Sequence, residues 1–149
     1  MNNPITPAET AAKLRGFGIS PSPQRVAIYG FLLSHPTHPT AETIFTAVRA
    51  EQPSISLTTV YNTLKLLTGK HAVQTVIIED GELRYDGDIR EHAHFKCLKC
   101  GRVYDIFPEP GCKIAPPPKL PSGFTITEMH VCCRGYCPQP ECAQENSSC

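Results

Sequence analysis

Between Glu91 and Ile106 the chain reads EHAHFKCLKCGRVYDI, a stretch that offers two chemically different sets of donor atoms. Cys97 and Cys100, in C-x-x-C spacing, supply two soft thiolates, half of a tetrahedral zinc site. His92, His94 and Asp105 supply imidazole and carboxylate, which suit Fe(II), Mn(II) or Zn(II) with a coordination position left open. If the segment is a strand, alternation puts His92 and His94 on one face, where both can grip one ion. These residues predict one metal that holds the fold and another that senses.

Such donors need elements to position them. A chain of 149 residues has room for one domain or two small ones. Small domains bury little core, so a structural metal is a natural staple for half of this chain. Near Asp88 the composition changes from helical periodicity to cysteine, proline and short β-prone pieces (HFKC, RVYDIF, FTITEMHVCC). Domains over 1–87 and 88–149 are therefore expected. Six prolines in residues 108–121 argue against a regular helix there, and the polar tail after Cys142 reads as loose. Eight cysteines fall short of the density of a secreted disulfide scaffold. No apolar run matches a signal peptide or a membrane span. A reducing, cytoplasmic setting is expected, where clustered thiols bind metal more often than they pair.

In the first part, residues 7–15 form a short predicted helix marked by Ala11, Ala12 and Leu14. Ser22-Pro23 is a helix start, with serine at the N-cap and proline in the first turn. Val26, Tyr29, Leu32 and Leu33 then form an apolar stripe ending before His35-Pro36. Thr40 opens another helix with Ala41, Ile44, Phe45 and Val48, closed by Pro53. A further helix follows Ser56, with Leu57, Val60, Tyr61, Leu64 and Leu67 as its buried face and Gly69 as its stop. AVQTVIIE, an Asp80-Gly81 turn and ELRYD read as a two-stranded hairpin.

Three strong helices and a hairpin make a winged-helix arrangement, in which the third helix enters the DNA major groove and the hairpin is the wing. Thr58, Thr59, Asn62 and Lys65 on its outer face suit base-edge and phosphate contact. Charge argues the other way. Residues 1–87 hold seven basic and seven acidic side chains, and the whole chain fourteen of each, without the usual basic footprint. On pattern alone, a helical domain with a merely solvated outer face fits equally well.

The segments SPQR (22–25), HPTAETIF (38–45), SLTTVYNTLKLL (56–67), ELRYD (82–86), EHAHFKCLKCGRVYD (91–105) and GFTI (123–126) resemble, in order and spacing, the ferric uptake regulator family, specifically its peroxide-sensing branch. Each segment is weak alone; the set is specific and covers most of residues 10–142. The resemblance implies an α+β protein: an N-terminal winged-helix DNA-binding domain followed by a small α/β dimerisation domain with a structural zinc. It implies a homodimeric, metal-dependent transcriptional repressor of double-stranded operator DNA. Carried over residue by residue, the regulatory Fe(2+) or Mn(2+) ligands would be His38, Asp86, His92, His94 and Asp105. Structural Zn(2+) would take Cys97, Cys100, Cys137 and Cys142. DNA contacts would come from Arg25, Thr58, Thr59, Tyr61, Asn62 and Lys65, with Tyr61 also serving the core. In that branch Fe(II) and hydrogen peroxide convert a ligand histidine to 2-oxo-histidine and DNA is released. His38 and His92 would be the targets here, Mn(II) would support binding without this chemistry, and the protein would not be an enzyme.

Both regulatory carboxylates are aspartates and the stretch before Cys97 carries no extra histidine, which favours the peroxide branch over the iron-sensing one. Singly, His38 reads as a surface residue, Asp86 as a strand-end charge and Asp105 as a cap; only the set at family spacing implies ligands. The CPQPEC segment departs from the family's second C-x-x-C, so Cys132 or Cys133 could stand in for Cys142. The prolines of 108–121 lie where relatives have a dimer-forming helix. Cys112 and Cys149 read as inert thiols, and His35, His71 and His130 as structural or surface residues. Competing functions are an iron- or zinc-availability repressor using the same site reversibly, a mononuclear non-haem iron enzyme, and a thiol switch at Cys97 or Cys100.

Overall fold

The computed structural model describes residues 4–77, 81–115, 117–127 and 129–143. Its elements run α1 (Pro7–Gly16), α2 (Pro23–Ser34), α3 (Ala41–Glu51), α4 (Leu57–Gly69), β1 (Gln74–Ile77), β2 (Leu83–Asp86), β3 (Ala93–Cys97), β4 (Val103–Ile106) and β5 (Cys132–Gly135). They fall into two compact units, Met1–Ile89 and Arg90–Cys149. The class is α+β. Among the described residues no helix is long and apolar enough to cross a membrane.

Each helix of the first unit starts on a side-chain oxygen. Ser22, Thr40 and Ser56 accept from the backbone N–H three residues on, satisfying donors that a helix start leaves open. α1 carries more than its weak apolar pattern suggests. Thr6 Oγ1 accepts from Glu9 N while Glu9 Oε2 accepts from Thr6 N at 2.8 Å, a reciprocal capping box. Leu14, Ile28, Leu32, Ile44, Val60, Leu64 and Leu67 are fully buried and form the centre of the core.

The buried stripe of α4 is Val60, Thr63, Leu64 and Leu67. Tyr61, expected on that stripe, is instead 44% exposed. At about 100° per residue it stands a quarter turn off the face that Val60 occupies, and Thr63 completes that face. β1 and β2 pair antiparallel from Gln74↔Asp86 to Ile77↔Leu83. Four helices and this hairpin make the winged-helix arrangement; of the turn expected at Asp80-Gly81, Asp80 lies outside the described residues.

The second unit is built on a three-stranded sheet in the order β4-β3-β5, with β4 antiparallel and β5 parallel to β3. Of the described residues of FTITEMHVCC only the last two enter a strand, where they pair with His94 and Phe95 of β3. Among its described residues this unit contains strands and no helix. Prolines 108, 110, 117, 118 and 121 lack the N–H a helix requires.

Candidate metal centres and nucleic-acid face

In the first unit, His38 is carried by the link between α2 and α3, and that link is pinned to β2. The Tyr85 N–H donates to the Pro39 carbonyl at 3.0 Å, and Arg84 Nη1 donates to the His38 carbonyl at 3.1 Å. These bonds bring His38 Nε2 to 3.5 Å from Asp86 Oδ2, both side chains buried. Asp86 Oδ1 accepts from the Asp88 N–H at 2.8 Å, which fixes the carboxylate plane. Gly87 permits this placement: a Cβ there would lie 3.1 Å from the Leu32 carbonyl oxygen. His38 itself has φ 52°, a left-handed conformation that costs a non-glycine residue on the order of 1–3 kcal/mol. The surrounding contacts hold it there, so the strain is spent on aiming an imidazole at a carboxylate.

In the second unit, the antiparallel register places His94 opposite Asp105, and His92 lies two residues earlier, just before β3. His92 Nε2 is 3.1 Å from His94 Nε2, and Asp105 Oδ1 lies 3.4 Å and 3.6 Å from the two. The His92 Nδ1 is 2.6 Å from the Arg90 carbonyl. A carbonyl only accepts, so Nδ1 carries the proton and Nε2 of the neutral ring presents its lone pair. Ligands bound at about 2.1 Å and 90–109° sit about 3.0–3.4 Å apart. His92 Nε2 matches that spacing to both partners, His94 Nε2 and Asp105 Oδ1 stand slightly wider at 3.6 Å, and as N/O donors the three fit Fe(II), Mn(II) or Zn(II).

Four sulfurs converge in the same unit. The Sγ atoms of Cys97, Cys100, Cys137 and Cys142 all lie within 4.8 Å of one another, and Cys100 Sγ is 3.8 Å from Cys137 Sγ. Zn–S bonds of about 2.3 Å at the tetrahedral angle put sulfurs about 3.8 Å apart, so the set fits zinc. None of the four is in a disulfide. The C-x4-C spacing of Cys137 and Cys142 closes by a turn in which the Cys142 N–H donates to the Gln139 carbonyl at 2.8 Å. Cys132 and Cys133 are exposed on β5 and stand apart from the cluster. Backbone N–H donation, led by that of Cys100, pulls the Cys97 thiol down to about 6. The Tyr104 hydroxyl holds the Cys137 thiol below its ordinary value, whereas burial pushes the Cys142 thiol up to about 12.

On α4, Thr58, Tyr61, Asn62 and Lys65 are exposed and Thr59 is half-buried, its hydroxyl 2.8 Å from the capping Ser56. Arg25, whose guanidinium donates to the Ser20 carbonyl, lines a shallow concavity of about 330 Å³ together with Thr59 and Asn62. The Tyr61 hydroxyl donates to Glu42 of α3, a link nothing in the apolar pattern signalled. That bond holds Glu42 below the usual carboxylate range and raises Tyr61.

Known proteins place this arrangement. The ferric uptake regulator family model matches residues 17–132. The chain is 31% identical over 139 residues to the peroxide-responsive repressor PerR of Staphylococcus epidermidis, covering 93% of this chain and 91% of that one. It is 38% identical over 98 residues to the repressor of the same name from Staphylococcus aureus, covering 66% of each. By fold it is similar to the Helicobacter pylori ferric uptake regulator Fur (TM-score 0.64, 19% identity, 93% of this chain and 95% of that one). The Campylobacter jejuni peroxide stress regulator gives a TM-score of 0.58 at 23% identity, covering 86% of this chain and 93% of that one. With the match running from α2 to the start of β5, the chain belongs to the ferric uptake regulator family, a family of transcriptional regulators.

Proposed function

We propose that this protein is a metal-dependent transcriptional repressor that senses hydrogen peroxide. The observation that carries the reading is the convergence of His92, His94 and Asp105 on one point, beside a separate all-sulfur set in the same unit. The relatives named peroxide-responsive repressors favour this sensing function.

In this reading Cys97, Cys100, Cys137 and Cys142 hold Zn(2+), four thiolates leaving no open position. His92, His94 and Asp105 hold regulatory Fe(2+) or Mn(2+). The family resemblance implies His38 and Asp86 as further ligands, and domains over 1–87 and 88–149. Bound iron supplies the reduction of hydrogen peroxide to water, with one oxygen atom added to a ligand imidazole carbon; manganese does not. His92 is suited to be a target because Arg90 holds its Nδ1–H, which fixes the ring carbon beside the ligating Nε2. His38 is the second target. Oxidation of a ligand imidazole weakens its grip, and loss of the ion releases DNA. Each molecule is consumed in sensing, so the protein is not an enzyme.

Arg25, Thr58, Thr59, Tyr61, Asn62 and Lys65 would contact double-stranded operator DNA, bound by a homodimer whose two-fold symmetry matches two half-sites. The thiolate set calls for a reducing compartment, the cytoplasm.

Anaerobic reconstitution with Fe(II) or Mn(II), followed by duplex binding and peptide mass measurement before and after low-dose peroxide, tests the reading. The iron form should lose DNA and gain one oxygen on His38 or His92, and the manganese form should do neither. Binding that follows metal supply with no oxidised histidine would make the protein an iron- or zinc-availability repressor. Turnover of a small substrate without duplex binding would make it a non-haem iron enzyme.

A further inference from the structure

His92 is the most enclosed donor of its set: its side chain is fully buried, although it lies outside any strand. The enclosure comes in part from Phe107, just past β4. The Phe107 ring packs against the His92 imidazole with centroids 5.0 Å apart and planes inclined at 32°. Phe107 is in turn covered by Arg90, whose guanidinium lies 4.5 Å over the ring. The same Arg90 accepts the His92 Nδ1–H through its carbonyl. Arg90 therefore grips His92 twice, directly at the nitrogen and indirectly through the aromatic ring. Phe107 itself is 44% exposed.

We propose that Phe107, backed by Arg90, is a positioning residue for His92: it fixes the imidazole so that Nε2 faces the regulatory ion and the ring carbon stays beside it. This rests on the metal-sensing reading above. An imidazole has two torsions, and one hydrogen bond at Nδ1 leaves the ring free to rock about that bond. A flat apolar neighbour removes that freedom, because tilted aromatic pairs have a preferred geometry. The Arg90 guanidinium over the Phe107 ring holds that ring in place in the same way. Residues that orient a ligand without touching the metal commonly change metal affinity by about 10–100-fold when replaced.

The consequence differs from that of a merely structural side chain. Loosening His92 should weaken the ion and should also move oxidation away from His92 toward His38, whose aim is set by other contacts. The test uses the full-length zinc-loaded protein and the variants Phe107→Leu, Phe107→Tyr and Arg90→Gln. Mn(II) affinity is read from the loss of the free-ion paramagnetic signal. Fe(II) plus peroxide is followed by tandem mass spectrometry of the tryptic peptides 26–49 and 91–96 (85–96 in the Arg90→Gln variant), which separates His38 from His35 and His92 from His94.

Phe107→Leu keeps apolar bulk and loses the flat face. It should bind Mn(II) about tenfold more weakly and lower the His92-to-His38 ratio of added oxygen. Arg90→Gln should shift both in the same direction by less, and Phe107→Tyr should restore both. If Phe107→Leu leaves affinity and ratio unchanged, or raises the His92 share, the proposal is overturned. Failure of the underlying reading is visible separately, in a wild-type protein that takes up no Mn(II) or gains no oxygen on either histidine.

Discussion

If zinc takes the four sulfurs as proposed, protons compete with it for them, and the competition is uneven. Cys97 is drawn down to about 6 by backbone N–H donation, and Cys142 is pushed up to about 12 by burial. In the metal-free fold Cys97 therefore contributes stability that is fully present above the ordinary thiol value of about 8.5 and is lost as pH falls through about 6. Cys142 contributes in the opposite sense, below about 8.5 and lost as pH rises toward 12. Zinc binding must expel the Cys142 proton throughout, but the Cys97 proton only below about pH 6. The number of protons released on zinc binding should thus fall as pH rises from 5 to 7.5. Calorimetry in buffers of different ionisation enthalpy reads that number, and a constant release would contradict the inequality of the two thiols. Substitution sorts the cysteines in the same way. Cys142→Ser should strip the structural zinc by metal analysis, while Cys132→Ser and Cys133→Ser, exposed on β5, should retain it.

Along α4, the two faces of one helix should separate stability from recognition. Leu64 is fully buried, so Leu64→Ala removes core contacts and leaves a cavity, costing about 2–5 kcal/mol in denaturant unfolding. Asn62 is exposed, and Asn62→Ala should change stability by no more than about 0.5 kcal/mol while weakening duplex binding. Lys65→Ala should weaken all duplexes alike and reduce the slope of log affinity against log salt by about 1. A salt slope unaltered in that variant would place Lys65 away from phosphate. At the other end of the helical unit, Thr6→Ala breaks the reciprocal cap and should cost about 1 kcal/mol.

For the molecule as a whole, net charge is zero, so long-range attraction cannot carry operator binding. Affinity has to be set by a few local contacts and by the regulatory ion. Thermodynamic linkage then makes a strict demand: if Mn(II) raises operator affinity by some factor, operator must raise Mn(II) affinity by the same factor. Mn(II) titrations with and without saturating duplex, set against duplex titrations with and without Mn(II), give both numbers. Unequal factors would mean that the ion and the DNA act through something other than one shared equilibrium.

The sequence by itself determined the local features. Ser22, Thr40 and Ser56 marked the starts of α2, α3 and α4, because a cap is a contact between residues three apart. The 3.6-residue apolar period marked their buried sides, and the donor types in the Glu91–Ile106 stretch stated which metals could be held. Even locally, the reading erred where one position off the stripe mattered, as at Tyr61. What only the tertiary structure decided depends on backbone bonds between distant segments. The Tyr85–Pro39 and Arg84–His38 bonds bring a loop histidine to Asp86, the β3–β4 register sets His94 against Asp105, and the parallel pairing of β5 exposes Cys132 and Cys133. Which of three cysteines stood with Cys97, Cys100 and Cys137 was open for that reason: spacing limits how far a chain can reach, and only the folded backbone fixes where it goes.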